Sequence, residues 1–295
     1  MSELRGTGVA LATPLKKDYS VDFTSLDRLV THTIEGGVDY LVVMGTTGES
    51  PVFSWKEKLA ILDFILEKNN GKKPVMFGLG GNHTFDLVDK SRELAQYDID
   101  AILSVSPYYN RPSQKGLVRH FNMLADASPH PILLYNVPPR TGSNVSAKTT
   151  LTLAAHENII GMKEASGDLS QINDILLNRP KDFLVVSGDD QLTLELIENG
   201  ADGVISVVSN ILPLQFSEMV QNCLNGNMTI AREQNQLLQE AYQLLSKEGN
   251  PSSLKAGLSV MEICNDTVKP PLFEGSSELK LKWEAFLSSL KMTTA

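Results

Sequence analysis

The sequence is poor in the residues that mark disulfide-rich and metal-binding proteins. Its 295 residues include two cysteines, Cys223 and Cys264, and neither has a C-x-x-C or metal-type neighbour. We therefore expect two packed thiols rather than a bridge or a pair of ligands. The five histidines show neither H-x-x-x-H spacing nor clustering with carboxylates. We predict no metal site and no cofactor.

Long apolar runs and basic stretches are also missing. No apolar segment approaches the roughly 18 residues that a membrane span requires, and the first 20 residues lack the apolar core and cleavage site of a signal peptide. The net charge is −9, with no run of lysine and arginine. We expect a cytoplasmic protein that binds neither a membrane nor nucleic acid.

Eight short apolar runs recur along the first three quarters of the chain. They are rich in valine, isoleucine and leucine, and most are continuous rather than alternating with polar residues. That composition is typical of parallel strands covered on both faces. The runs occupy residues 8–14, 40–45, 74–80, 100–106, 131–136, 159–164, 183–188 and 203–209.

Amphipathic helical stretches separate these runs. Two of them begin with a capping signal, Ser54 with Glu57 and Asp168 with Gln171. Eight β-α repeats without a G-x-G-x-x-G fingerprint predict an α/β fold, a (β/α)8 TIM barrel. The segment GLGGN at 78–82 lacks the Lys-Ser/Thr ending of a phosphate loop, so a tight turn is expected there.

The pattern changes near residue 225. Three helical stretches follow, in NMTIAREQNQLLQEAYQLLSK, SLKAGLSVMEIC and SELKLKWEAFLSSLK. We predict a barrel domain at residues 1–225 that carries the active site and a C-terminal three-helix domain at residues 226–295.

Lys163 is the most unusual residue of the predicted strands. It ends the apolar run IIGMK, where an ammonium group would be poorly solvated. A neutral amine beside apolar side chains is the nucleophile of Schiff-base chemistry. The alternative is that Lys163 simply leaves the sheet and reaches water, as most lysines do.

Active sites of such barrels lie at the carboxyl ends of the strands. Each residue there also has a structural interpretation: a turn or helix cap for the threonines and aspartates, rim packing for Tyr108 and Tyr109, and a surface charge for Arg140. Together, however, one lysine with tyrosines, threonines and an arginine favours carbonyl chemistry through an imine. The strand-end residues are Thr46, Thr47, Tyr108, Tyr109, Asn110, Arg111, Tyr135, Asn136, Arg140, Lys163, Gly188, Asp189, Asp190, Ile205 and Ser206.

Six motifs in register at these strand ends resemble the dihydrodipicolinate synthase family, within the N-acetylneuraminate lyase superfamily of class I aldolases. They are GTTGES, SPYYNRPSQ, LLYNVPPRTG, IIGMKEASGD, SGDD and GVISV. The correspondence runs from about residue 5 to 225, and EGNPSSLKAGL extends it into the helical tail. The resemblance implies condensation of pyruvate with aspartate semialdehyde to 4-hydroxy-tetrahydrodipicolinate, on the route to diaminopimelate and lysine.

The resemblance also implies a role for each site residue. Lys163 forms the Schiff base, Tyr135 is the general acid and base, Thr46 relays protons, and Tyr109 is contributed by a neighbouring subunit. The substrates are held by Thr47 at the pyruvate carboxylate, Arg140 at the carboxylate of the semialdehyde, and Gly188 and the backbone carbonyl of Ile205 along the pyruvate pocket. The implied assembly is a homotetramer built from two tight dimers.

Family members commonly bind lysine as an inhibitor in a cleft at the tight-dimer interface. The corresponding residues here are Trp55, Lys58, Asn82, Asp86 and Tyr108. Feedback-sensitive members often carry histidines in segment 51–58 and a glutamate at the position of Asp86. Because Lys58 would repel a cationic effector, we predict weak or absent lysine feedback.

Two other functions remain open from the sequence. One is a different pyruvate-dependent aldolase or lyase of the superfamily that acts on a sugar acid or keto acid. GTTGES and Arg140 favour the synthase, because an arginine fork suits a small carboxylate better than a polyol chain. The other is a non-catalytic, keto-acid-binding barrel, which would require an inert Lys163.

Overall fold

The computed structural model describes residues 2–293 of the chain. Eight strands close into a barrel in sequence order, and the (β/α)8 prediction is confirmed. Neighbouring strands from β3 through β8 pair in parallel. The strands are β1 (Gly6–Ala10), β2 (Tyr40–Val43), β3 (Val75–Gly78), β4 (Ala101–Val105), β5 (Ile132–Asn136), β6 (Ile159–Glu164), β7 (Leu184–Ser187) and β8 (Gly203–Ser206).

Almost every strand residue is buried, as expected for parallel strands with both faces covered. The predicted runs match the strands within a few residues, apart from the first. β1 ends at Ala10, although the apolar run continues to residue 14. Beyond Ala10 the chain is held by side chains and loops: Ala12 N–H donates to Asn210, and the Thr13 hydroxyl donates to Gly48 O.

Twelve α-helices are present among residues 2–293. Nine precede the tail, and the last three confirm the predicted C-terminal helices. They are α1 (Phe23–Glu35), α2 (Trp55–Asn69), α3 (Thr84–Glu93), α4 (Gln114–Ala127), α5 (Pro138–Thr141), α6 (Ala147–Leu153), α7 (Leu169–Asn178), α8 (Thr193–Glu198), α9 (Pro213–Leu224), α10 (Met228–Lys247), α11 (Ser252–Val260) and α12 (Ser277–Thr293). None of the described helices is long and apolar enough to cross a membrane.

The helix starts follow the capping signals in the sequence. Ser54 and Glu57 form a complete capping box at α2, with the Ser54 side chain accepting from the Glu57 N–H and the Glu57 carboxylate accepting from the Ser54 N–H. Asp168 caps α7 by accepting from the Gln171 N–H. The Gln171 side chain does not complete a box, because it turns to other partners described below.

The packing divides the described chain into two compact units. The first contains the residues up to Gly8, 39–42 and 74–205, and therefore most of the barrel strands. The second contains 9–38, 43–73 and the residues from Ser206 onward. The predicted boundary between residues 225 and 226 stays a prediction.

Candidate active site

Lys163 lies near the carboxyl end of β6 and is only 5 % exposed. The apolar residues that precede it pack in the barrel, so the strand carries the amine into the protein rather than into water. Within the described part of the chain, its Nζ atom has neither a hydrogen-bond acceptor nor a carboxylate partner. The amine is therefore buried without the ion pair that normally accompanies a buried lysine.

Tyr135 is the neighbour of Lys163 across the sheet. The two residues are paired in the β5–β6 register, and Lys163 Nζ lies 4.3 Å from the centroid of the Tyr135 ring. Tyr135 is itself buried, with 6 % exposure. Because paired residues of neighbouring strands point to the same face of the sheet, strand pairing alone brings the amine and the phenol together.

Gly188 lies on the other side of Lys163, just after β7. A Cβ atom built at this position would come within 2.6 Å of Ala165 Cβ and 3.0 Å of Lys163 Cε. The Gly188 N–H also donates to Glu164 O at 2.7 Å. The absence of a side chain at residue 188 therefore leaves room for the lysine stem. Ile205, on β8, is also buried.

Arg140 and Tyr109 are placed differently, because both are exposed. Arg140 lies in the four-residue helix α5, directly after β5. Tyr109 is 90 % exposed and adopts a φ of 71°, a left-handed conformation that is uncommon for a residue with a side chain. Within one chain, Tyr109 is thus directed to solvent by a backbone turn.

The two threonines belong to the second packing unit. The Thr46 carbonyl accepts from the Glu49 N–H, which forms a turn, and the buried Thr47 hydroxyl accepts from Asn250 Nδ2 at 3.0 Å. Neither threonine caps α2, whose N-cap is Ser54. The helix-cap alternative for these threonines is therefore wrong, and the turn alternative holds for Thr46.

Asp189, the first residue after Gly188, does not occupy the N-cap of the following helix either. The residue at the N-cap of α8 is Leu192, which makes no side-chain cap. The Asp189 carboxylate accepts from the Gln191 N–H at 2.9 Å, and its carbonyl accepts from the hydroxyls of Ser187 and Thr193. Asp189 therefore organises its own turn.

A buried ion pair next to the threonines was not foreseen from the sequence. Glu49 and Lys255 form this pair, and both side chains are fully buried. The second Glu49 oxygen accepts from the Lys269 N–H, and Lys255 Nζ also donates to Thr267 O. Burial lowers the pKa of Lys255, and Glu49 opposes that effect. The pair attaches the GTTGES loop to α11.

Glu164, the residue after Lys163, was also not foreseen. It is 1 % exposed and accepts hydrogen bonds from Asn136, the Ser166 N–H and Gln171. Burial raises its pKa, and these hydrogen bonds oppose the increase. The signal in the sequence was a carboxylate at the end of an apolar run, directly after Lys163.

Two residues of the expected lysine cleft are hydrogen-bonded to each other. Asn82 Nδ2 donates to Tyr108 O at 3.2 Å, so these two residues are neighbours. Asp86 is paired with Lys90 one turn along α3, at 2.7 Å. Trp55 and Lys58 both lie on α2, in the other packing unit.

Comparison with known proteins agrees with this arrangement. The family model described as the dihydrodipicolinate synthetase family matches residues 3–290. The 4-hydroxy-tetrahydrodipicolinate synthase of Cytophaga hutchinsonii is 46 % identical over 284 residues, which are 96 % of each chain. The synthase of Flavobacterium psychrophilum is 44 % identical, covering 98 % of this chain and 99 % of that protein.

Solved structures give the same result. The crystal structure of dihydrodipicolinate synthase from Thermotoga maritima is 36 % identical, with a TM-score of 0.95 over 98 % of this chain and 99 % of that one. The chloride-inhibited synthase of Acinetobacter baumannii, solved with pyruvate, is 34 % identical, with the same TM-score and coverage. With a family match along nearly its whole length and these relatives, the chain belongs to the dihydrodipicolinate synthetase family.

Proposed function

We propose that the protein is a 4-hydroxy-tetrahydrodipicolinate synthase that condenses pyruvate with aspartate semialdehyde through a Schiff base. The observation that carries this proposal is the buried Lys163 amine, which faces the Tyr135 ring at 4.3 Å and lacks a carboxylate partner in the described chain. Family membership and relatives named for this reaction support it.

The first half of the reaction uses the amine. Lys163 Nζ attacks the ketone carbon of pyruvate, and loss of water gives a protonated imine. Water leaves only after the carbinolamine oxygen is protonated, and the Tyr135 hydroxyl is the proposed donor. We assign Thr46 and Tyr109 to the relay that returns the proton, and Thr47 to the pyruvate carboxylate, as the family resemblance implies.

The second half forms the carbon–carbon bond. The iminium group draws electrons from the methyl carbon, which loses a proton to give an enamine. The enamine carbon then attacks the aldehyde carbon of the semialdehyde. The aldehyde oxygen takes up the proton that the methyl carbon released and becomes the 4-hydroxyl group, and the imine is restored. The amino group of that substrate adds to the imine carbon, closes the ring and expels Lys163 as a free amine. Arg140 is proposed to bind the carboxylate of the semialdehyde, which its exposed position after β5 allows.

We infer a homotetramer of two tight dimers for the active enzyme. The support within this chain is Tyr109, because a relay residue that is 90 % exposed can act only if something covers it. Sedimentation velocity together with a Tyr109→Phe variant tests this assignment. A fully active monomer, or unchanged kcat in the variant, would contradict it.

We also infer a cytoplasmic location, as is usual for amino-acid biosynthesis. Both cysteines, Cys223 and Cys264, are free and buried in the structure, which suits a reducing compartment. Fractionation of the source cells with an antibody against the protein tests the location. Recovery in the periplasmic or membrane fraction would exclude it.

The decisive experiment is borohydride trapping with pyruvate, followed by peptide mass spectrometry. We expect a reduced pyruvate adduct on Lys163 and none in a Lys163→Ala variant. An adduct on another lysine, or no adduct, excludes the proposed mechanism and leaves the non-catalytic barrel. Assays with aspartate semialdehyde and with sugar-derived aldehydes then separate the synthase from another pyruvate-dependent aldolase or lyase.

Weak lysine feedback is part of this proposal. Lys58 adds a positive charge to the expected cleft, and Asp86 is already paired with Lys90. We expect millimolar lysine to leave the steady-state rate nearly unchanged, with a Lys58→His variant showing stronger inhibition. Potent inhibition of the unmodified enzyme would show that the cleft accepts lysine despite this charge.

A further inference from the structure

The residues that follow Tyr135 and Lys163 form a second pair on the opposite face of the sheet. Asn136 and Glu164 are the last paired residues of β5 and β6, one position beyond Tyr135 and Lys163. Asn136 Nδ2 lies 3.0 and 3.1 Å from the two Glu164 carboxylate oxygens. Since side chains alternate along a strand, this pair lies behind the amine and the phenol.

Asn136 also closes the loop that carries Arg140. Its Oδ1 atom accepts from the Val145 N–H at 3.0 Å, and its Nδ2 atom donates to Asn144 Oδ1 at 2.8 Å. The chain therefore leaves β5 at Asn136 and, after Arg140, returns to the same side chain. Asn136 is fully buried, so water does not compete for these bonds.

Glu164 holds the chain that follows β6. One carboxylate oxygen accepts from the Ser166 N–H at 2.8 Å, and the other accepts from Gln171 Nε2 at 3.2 Å. Because Gln171 lies in the first turn of α7, the carboxylate connects β5, β6 and α7.

The pairing of β5 and β6 needs such an anchor. Its register shifts between Ile132 and Leu133, near the start of β5, so the first residues of the strands do not determine how the last ones pair. Tyr135 and Lys163 depend on the regular pairing after the shift. A hydrogen bond between side chains at the last pair fixes that register where the two groups meet.

We propose that Asn136 and Glu164 are positioning residues for the reaction. They form a clamp that sets the separation of Lys163 and Tyr135 and places the Arg140 loop at the same end of the barrel. The inference rests on the proposed function of Lys163, and it assigns to these two residues no contact with substrate.

A double-mutant cycle tests the clamp. Asn136→Asp places two carboxylates against each other in a buried site. Glu164→Gln replaces one of two acceptor oxygens with an NH2 group, which then faces the donors Asn136 Nδ2 and Gln171 Nε2. The double variant Asn136→Asp/Glu164→Gln reverses the donor and acceptor and can re-form the bond. We expect each single variant to slow imine formation and kcat by about 10- to 100-fold, because small displacements at a reacting centre have effects of that size. The rate of the double variant should be at least about tenfold higher than the rate expected if the two single losses simply multiplied.

Two kinds of measurement distinguish a positioning role of Asn136 and Glu164 from a purely structural one: the reaction rates and the melting temperature. Imine formation is measured in single turnovers with pyruvate by borohydride quenching, and KM for the semialdehyde reports the Arg140 loop. The control is Asn158→Ala, which removes three hydrogen bonds to backbone carbonyls at the opposite end of β6. It should lower Tm while leaving the rate of imine formation unchanged.

Each outcome decides the inference. Single variants that lower Tm but keep the rate of imine formation, or a double variant whose loss equals the product of the single losses, would overturn the clamp. If Asn136→Asp does not fold, recovery of the rate from Glu164→Gln to the double variant decides the same question. Failure of the unmodified enzyme to trap pyruvate would instead overturn the proposed function itself.

Discussion

Lys163 and Tyr135 are partners in the β5–β6 register, with the lysine nitrogen 4.3 Å from the centroid of the tyrosine ring. The contact involves the ring, whereas the proposed proton transfer involves the hydroxyl group. A Tyr135→Phe variant separates the two. It keeps the aromatic face against the amine and removes the acid.

We expect Tyr135→Phe to lower kcat by about 100- to 10,000-fold, the usual contribution of a positioned acid or base. The fold should be kept, because the ring still fills its buried site. Steady-state kinetics and thermal unfolding measure the two effects. An unchanged kcat would assign the proton transfer to another group.

Gly188→Ala is expected to disturb the lysine directly. The added methyl group would meet Ala165 Cβ at 2.6 Å and Lys163 Cε at 3.0 Å, so at least one of these neighbouring groups would have to shift. We expect destabilisation by about 1–3 kcal/mol and slower trapping of pyruvate. The matched control is Gly81→Ala, whose nearest contact is Leu87 Cδ2 at 3.6 Å. Equal effects of both substitutions would show that residue 188 has no special relation to Lys163.

Arg140→Ala should impair use of the aldehyde and leave imine formation with pyruvate intact. Loss of a charge-assisted hydrogen bond predicts a roughly 10- to 100-fold lower kcat/KM for the semialdehyde. Arg140→Lys keeps the charge but not the two-pronged geometry, so an intermediate loss is expected. A parallel fall in pyruvate trapping would indicate a structural role for the arginine.

His120 predicts how stability depends on pH. It is 5 % exposed between α3 and α4, its Nδ1 atom lies 2.8 Å from the Thr84 hydroxyl, and burial lowers its pKa to about 4. Its unfolded value is near 6.5, so the unfolded state takes up the proton first as pH falls. The contribution of neutral His120 to the free energy of unfolding is therefore complete above pH 6.5. It is lost as the pH falls from about 6.5 to 4.

We expect urea unfolding to show that the free energy of unfolding falls by about 3 kcal/mol between pH 6.5 and 4 because of His120. The His120→Asn variant, which keeps an acceptor for Thr84, should be less stable at pH 7 and have a flatter profile below it. Identical slopes for the two proteins would mean that His120 takes up its proton as readily in the folded state as in the unfolded state.

Breaking the buried Glu49–Lys255 ion pair is expected to lower the free energy of unfolding strongly. Both residues are distant from Lys163 in the sequence. Lys255→Met leaves the Glu49 carboxylate buried without its cation, and we expect a loss of about 3–5 kcal/mol. Adding Glu49→Gln removes that charge and should restore part of the loss, since the amide oxygen can still accept from the Lys269 N–H. Urea unfolding of the four proteins measures the coupling. A loss that does not recover in the double variant would show that packing, rather than charge, determines the effect.

The positions of the strands could be predicted from the sequence because both faces of a parallel sheet are covered, and such strands are recognisable as apolar runs. The same pattern could not show where β1 ends. The apolar residues after Ala10 continue into a segment held by Asn210 and Gly48, which are distant in sequence. An apolar pattern shows that a segment is buried, but it does not identify the residues that cover the segment.

Only part of the candidate site could be predicted from the sequence. Lys163 and Tyr135 could be identified because each ends a strand, and strand ends meet at one rim. Asn136 could likewise be placed at the end of the fifth strand. Its bond to Glu164 could not be predicted, because a pair on the outer face is recognisable only once the register is known. The partners Lys255 and Glu49 are separated by 206 residues, and no local pattern connects them.

The eight-stranded barrel, the three terminal helices and the lysine near the end of the sixth strand could all be predicted from the order of the residues. These follow from the order of residues along the chain, through hydrophobic period and helix capping. Only the tertiary structure decided that the Lys163 amine is buried against Tyr135, and that Asn136 and Glu164 are bonded behind them. Burial and hydrogen bonding of a polar group depend on residues brought close by folding, and the linear order does not contain those distances.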